Sequence, residues 1–132
     1  MTIIAAYVAT LIAFVGVDMI WLGLMVDRVY RPAIGDILAP GVNLPAAAAF
    51  YLLFPIGLTL FAVLPALKAH AIADAALYGA LFGFFAYATY DLTNQATVRS
   101  WPTQLSLIDM SWGFVLSGLA ATVGYIVAQR FS

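Results

Sequence analysis

The sequence predicts an all-α integral membrane protein: a bundle of four transmembrane helices in antiparallel up-and-down order, with a short interfacial helix between the first two spans. Three observations carry this. Of 132 residues, 65% are hydrophobic and 8% charged, with mean hydropathy +1.04, whereas soluble domains run at about 45–50% apolar and about 25% charged. The apolar residues fall into four runs, each long enough for the roughly 20 residues that cross a hydrocarbon core. The segments between the runs are short and hold most of the charged residues. One transmembrane domain, 1–132, is expected, with the lipid bilayer as its first partner.

The first run, 3–26, ends at the charged pair Asp27-Arg28 and carries Asp18 in its later half. It has no basic n-region and no A-x-A-like exit, so it reads as a retained span rather than a signal peptide. Residues 29–39 put Val29, Tyr30, Ala33, Ile34, Ile37 and Leu38 at helical spacing among polar residues, the pattern of a short helix lying in the interface. The second span, 43–67, starts at Asn43 with Pro45 in its first turn and has Pro55 at its middle, where a kink is expected. Tyr51, Pro55 and Thr59, spaced four apart, should face the bundle. After the tight connection around His70, the third span, 74–97, starts at Asp74. One row along it holds Ala71, Ala75, Gly79, Gly83, Tyr87 and Asp91, small residues that permit close approach of another helix. The fourth span, 102–129, starts at Pro102 with Ser100 as its cap and repeats the device with Asp109, Gly113, Ser117 and Ala121.

Composition excludes several function classes. A net charge of −1 with five scattered Lys and Arg cannot supply the basic stripe that nucleic acid needs. No cysteine and one histidine leave no disulfide, no thiolate chemistry, and neither a metal site nor a cofactor of the usual His or Cys kind.

What the bundle does not need is carboxylates. An acid at the middle of a membrane helix costs roughly 2.5–3.5 kcal/mol on insertion scales, so it faces a partner or a cavity. Three of the six acidic residues, Asp18, Asp91 and Asp109, lie inside spans. In an up-and-down bundle Asp18 sits about 12–15 Å below one face and the other two about 9 Å, from a rise of 1.5 Å per residue. The phrases Asp18-Met19-Ile20-Trp21 and Asp109-Met110-Ser111-Trp112 are nearly the same, and each puts its Asp and Trp on one helical face. Trp21 and Trp112 can line a pocket, donate to a carboxylate or anchor at the interface, as can Trp101. Tyr51, Tyr90 and Asn94 fall at the same depth, and Arg99, on the connection between the two later acid-bearing spans, is the expected ionic partner. The plainest reading is a polar network that locks the bundle; the sharper one is a proton- or ligand-binding pocket.

The blocks Phe14-Val15-Gly16-Val17-Asp18-Met19-Ile20-Trp21-Leu22-Gly23, Asn43-Leu44-Pro45-Ala46-Ala47, Tyr90-Asp91-Leu92-Thr93-Asn94-Gln95-Ala96-Thr97 and Ile108-Asp109-Met110-Ser111-Trp112-Gly113 together resemble a family of small bacterial inner-membrane proteins classed as a predicted membrane domain of unknown function. The resemblance spans nearly the whole chain. It implies a four-span, multi-pass protein of the bacterial inner membrane and supplies no activity.

Function is therefore argued from the acids. The first expectation is binding or proton-coupled transport of a small amphipathic or cationic molecule, because one membrane-embedded carboxylate holds either a proton or a cation. A homodimer could enclose the pathway, with Gly79 and Gly83 as candidate contacts, although contacts within one chain suit these glycines better. The alternatives are a membrane enzyme modifying a lipid or another membrane-dissolved substrate, with the aspartates as acid/base groups or oxygen ligands, and an accessory subunit of a larger complex. No nucleotide or metal motif supports the enzyme reading, and no catalytic residue can be named. Arg28, Arg31 and Arg99 on the site face tip the orientation only slightly toward the cytoplasm.

Overall fold

A computed structural model of residues 1–132 contains helices and no strands. Four helices are long and apolar enough to cross a membrane: Thr2–Ile37, Leu44–Ala69, Ile72–Thr97 and Thr103–Phe131. The first comprises α1 (Thr2–Met25), a π turn (Val26–Tyr30), α2 (Arg31–Ile34) and a 3₁₀ turn (Gly35–Ile37). The second comprises α3 (Leu44–Leu58), a π turn (Thr59–Val63) and α4 (Leu64–Ala69), while α5 (Ile72–Thr97) and α6 (Thr103–Ala128) are unbroken.

The local chemistry explains most boundaries. The Asn43 side chain accepts the Ala46 N–H at 3.2 Å, with Pro45 in the first turn of α3, which satisfies an amide the helix start would orphan. His70 ends α4 in the left-handed conformation, φ 54°, and turns the chain within two residues. Asp74 lies inside the first turn of α5, which begins at Ile72 behind Ala71, and Pro102 rather than Ser100 precedes α6. α3 runs through Pro55 unbroken to Leu58; the departure from regular helix comes four residues later, in the π turn that starts at Thr59, whose hydroxyl donates to the Pro55 carbonyl at 2.8 Å.

The largest difference from the sequence reading concerns residues 29–39. They do not form a separate helix; the π turn carries the first helix past Asp27-Arg28 and on to Ile37. The charged pair leaves the hydrogen-bonded backbone intact because Asp27 and Arg28 are exposed, and Asp27 pairs with Arg31 one turn on at 2.8 Å.

Burial differs from that of a soluble protein at both the surface and the core. Thr10, Asp18, Thr59, Asp91, Ser106, Asp109 and Ser117 are buried, while Ile3, Ile12, Ile20, Leu53, Phe61 and Phe85 are exposed. Exposed apolar side chains around an interior that shelters polar ones suit a hydrocarbon solvent. Residues rising along α5 meet residues falling along α6: Gly79 faces Ala121, Gly83 faces Ser117 and Tyr87 lies on Gly113. A Cβ on Gly83 would overlap Ser117 and the Gly113 carbonyl, so the small-residue row is consumed by the α5–α6 seam within one chain and is not free to join two copies.

The bundle tapers. At one end a core of small residues, among them Ala6, Ala62, Val63, Ala66, Ala75, Ala121 and Ala128, draws all four helices together. Toward the other end Phe14, Phe54, Leu58 and Leu116 take over, with Tyr51, Phe82, Tyr87 and Trp112 packed against them. Larger side chains hold backbones farther apart, and the space so opened is the cavity.

Candidate functional site

The wide end encloses a cavity of about 520 Å³ lined by Asp18, Leu22, Tyr30, Ile34, Phe50, Tyr51, Ala86, Tyr87, Tyr90, Trp101, Asp109 and Trp112. Its size is that of a small-molecule site, and its lining is the expected mixture of aromatic surface and a few polar groups. All four spanning helices contribute, so the site exists only in the assembled bundle.

The two Asp-Met-x-Trp phrases meet at its centre. Trp21 and Trp112 stack face to face, with ring centroids 4.2 Å apart and planes 8° from parallel. Each indole reaches the carboxylate of the other phrase, one directly and one through a phenol. The Trp112 N–H donates to Asp18 Oδ1 at 3.0 Å. The Trp21 N–H donates to the Tyr30 hydroxyl at 3.1 Å, which donates in turn to Asp109 Oδ1 at 2.7 Å. Asp18 has a second donor, the Tyr51 hydroxyl, at 2.5 Å from Oδ2. The echo in sequence is therefore a crossed pair in space: two helices bring nearly the same tetrapeptide together, and each tryptophan serves the opposite acid.

Tyr30 reaches this network only because the first helix bends. Nine residues of straight α-helix put Trp21 and Tyr30 on opposite faces about 13.5 Å apart along the axis. The π turn between Val26 and Tyr30 swings the following segment back over the bundle, so that Tyr30 and the buried Ile34 cover the cavity. The apolar row of residues 29–38 was the signal for this. Part of the face that sequence assigns to the membrane interface covers the cavity.

Asp91 differs from the other two. It is fully buried, and neither carboxylate oxygen has a hydrogen-bond partner. It is not part of the cavity lining but lies against Asp109, with Ser106, one turn from Asp109 on α6, donating to its backbone carbonyl at 3.4 Å. The three acids therefore gather at one end of the bundle.

The remaining sequence candidates divide as follows. Tyr51, Tyr90 and Trp112 line the cavity, and Trp21 backs it through the stack. Asn94 is half-buried on α5 and takes no part in the lining, its backbone carbonyl accepting the Val98 N–H that ends the helix. Arg99 is exposed and makes no ion pair; the bond between Asp27 and Arg31 is the one salt bridge in the molecule. Where an arginine was expected, phenol and indole donors hold the carboxylates. The reason is positional, since Arg99 follows the end of α5 and sits outside the seam its neighbours close. Trp101, a candidate anchor, lines the cavity, packs edge-on to Tyr90 at 5.6 Å and donates to Ser106 Oγ at 3.1 Å. Tyr30, Phe50, Leu22, Ile34 and Ala86 were not singled out by sequence as site residues, because nothing local distinguishes them from lipid-facing residues.

No group of three or more His, Cys, Asp or Glu side chains is arranged to hold a metal ion. The family model described as "Predicted membrane protein (DUF2177)" matches residues 3–126, and the chain belongs to that family. No curated protein and no solved structure matches it.

Proposed function

We propose that this multi-pass membrane protein binds a small amphipathic cation in its aromatic cavity and exchanges it for protons. The observation that carries the reading is an imbalance of charge: Asp18, Asp91 and Asp109 are buried together, and no Lys, Arg or His lies within ion-pair distance of any of them. Buried carboxylates without a counter-charge are costly in a low-dielectric interior. Tyrosine and tryptophan donors ease that cost without neutralising it, so the cavity retains an affinity for positive charge. Aromatic faces around the carboxylates add cation–π attraction, as in sites for quaternary ammonium groups.

Asp91 supplies the exchange partner. With no donor at either oxygen and Asp109 against it, one proton shared between the two carboxyls would satisfy both when no cation is bound, as in other carboxyl pairs. A cation arriving at Asp109 competes with that proton. Proton and ligand then occupy the acids alternately, the coupling that a membrane carboxylate offers a carrier.

The test uses purified protein in lipid nanodiscs with dodecyltrimethylammonium as probe. Titration calorimetry in buffers of different ionisation enthalpy should show proton release on binding and an affinity that falls as the pH is lowered. Asp109→Asn should abolish binding, and Asp91→Asn should retain binding while losing the proton release. Affinity independent of pH, or equal affinity for an uncharged twelve-carbon alcohol, would overturn the reading. So would conversion of added lipids by the wild type and not by Asp109→Asn, which would make the site catalytic.

A further inference from the structure

We infer that the ligand is a single-chain ammonium amphiphile drawn from the bilayer, entering sideways between α3 and α5 with its alkyl tail remaining in the gap. The inference rests on the cation site proposed above and adds the route and the shape of the molecule.

The route follows from which seams of the bundle are closed. Between α5 and α6, Gly83 and Gly113 bring the backbones too close to admit a methyl group. Between α1 and α6, the Trp21–Trp112 stack closes the seam beside the cavity and Thr10 meets Gly124 below it; the apolar groove of Ala5, Ala9, Ala13, Val123 and Val127 on this seam lies at the narrow end and shares no residue with the cavity. Between α1 and α3, Phe14 packs on Phe54 at 4.9 Å and Tyr51 bonds Asp18. The segment after the first π turn covers the top, where Ile34 is 7% exposed although it lines the cavity. The narrow end is filled by small residues.

The seam between α3 and α5 is different. The π turn and α4 pack closely on α5, but α3 itself does not. Its highest bridge is aromatic, Phe54 to Phe82 at 5.2 Å and to Tyr87 at 6.1 Å. Beyond that bridge the cavity residues Phe50 and Tyr90 are 41% and 56% exposed, and Ala86 between them is exposed as well. In a bilayer that surface faces hydrocarbon, so the opening is to lipid. An occupant must satisfy carboxylates inside and an apolar aromatic mouth outside, which a charged head on an alkyl tail does. A compact hydrophilic cation would meet only half of it.

The chain has no cysteine, so the single thiol of an Ala86→Cys variant reports on the mouth alone. In nanodiscs, labelling of this thiol by a membrane-partitioned maleimide should slow about tenfold or more when dodecyltrimethylammonium is bound, given the alkyl area that packs in the gap. Tetramethylammonium at equal occupancy, read from tryptophan fluorescence, should give little protection. Ala86→Trp should weaken the long-chain probe by about tenfold or more and the short one by less. An unprotected thiol in Ala86→Cys, together with unchanged long-chain affinity in Ala86→Trp, overturns the sideways route, whatever the fate of the site. Unchanged binding of both probes in Asp109→Asn overturns the cation site itself. Should Ala86→Trp fail to fold, thiol protection in Ala86→Cys decides alone.

Discussion

At the scale of single residues, the three buried aspartates are not equivalent, and the difference lies in their donors. Asp18 accepts from Tyr51 and Trp112, Asp109 accepts from Tyr30, and Asp91 accepts from nothing. Opposite mutational signs follow. Trp112→Phe keeps a ring for the stack on Trp21 but removes a donor from Asp18, and should cost about 1–2 kcal/mol of stability. Asp91→Asn replaces an acid that has no donor but the proton it shares with Asp109 by an amide that donates to Asp109 without one, and should stabilise by about 1 kcal/mol. Unfolding of the purified variants in mixed detergent micelles checks both; equal destabilisation would overturn the distinction between the acids. The sequence identified all three acids because an acid in an apolar run is costly wherever the run folds. It could not rank them, since donors from residues 30, 51 and 112 are distant along the chain.

At the scale of elements, two departures from regular helix shape the site. The π turn at Val26–Tyr30 returns Tyr30 to the bundle, and the one at Thr59–Val63 follows Pro55 just where the second helix passes from loose to close packing on α5. π turns inside helices recur at functional sites, and here each borders the cavity-forming half of its helix. The sequence placed a disturbance at Pro55 itself, four residues before the turn, and none at residues 26–30, because charged Asp27-Arg28 reads as the end of a span. The α5–α6 seam was readable from its row of small residues. There Gly83→Ala should destabilise by about 1–3 kcal/mol through overlap with Ser117 and Gly113. Gly16, with no atom near its missing Cβ, provides the contrast: Gly16→Ala should be neutral or stabilise by about 0.5–1 kcal/mol. Melting temperatures of the pair measure the difference, and similar values would show that the seam is not closely packed.

At the scale of the whole molecule, the taper turns a polar network into a chamber. Small residues close one end and aromatic residues prop open the other, so the acids of α1 and α6 face a cavity, with the α5 acid behind Asp109. A ligand of the chamber should stabilise the fold by mass action, about 2.7 kcal/mol at a free concentration 100 times its dissociation constant. Dodecyltrimethylammonium should therefore raise the melting temperature of the wild type, and an uncharged amphiphile of the same length should not. A shift of equal size with both would leave charge without a role. Composition and run length alone determined that four helices cross a membrane, because hydrocarbon admits few other ways to satisfy a backbone. The cost of burying charge likewise determined from sequence that Asp18, Asp91 and Asp109 turn inward. The tertiary structure decided which groups meet them. Donor identity, the crossing of the two tryptophans, the covering position of residues 30–34 and the open α3–α5 seam depend on helix bends and crossing distances set by contacts remote in sequence, which no local pattern encodes.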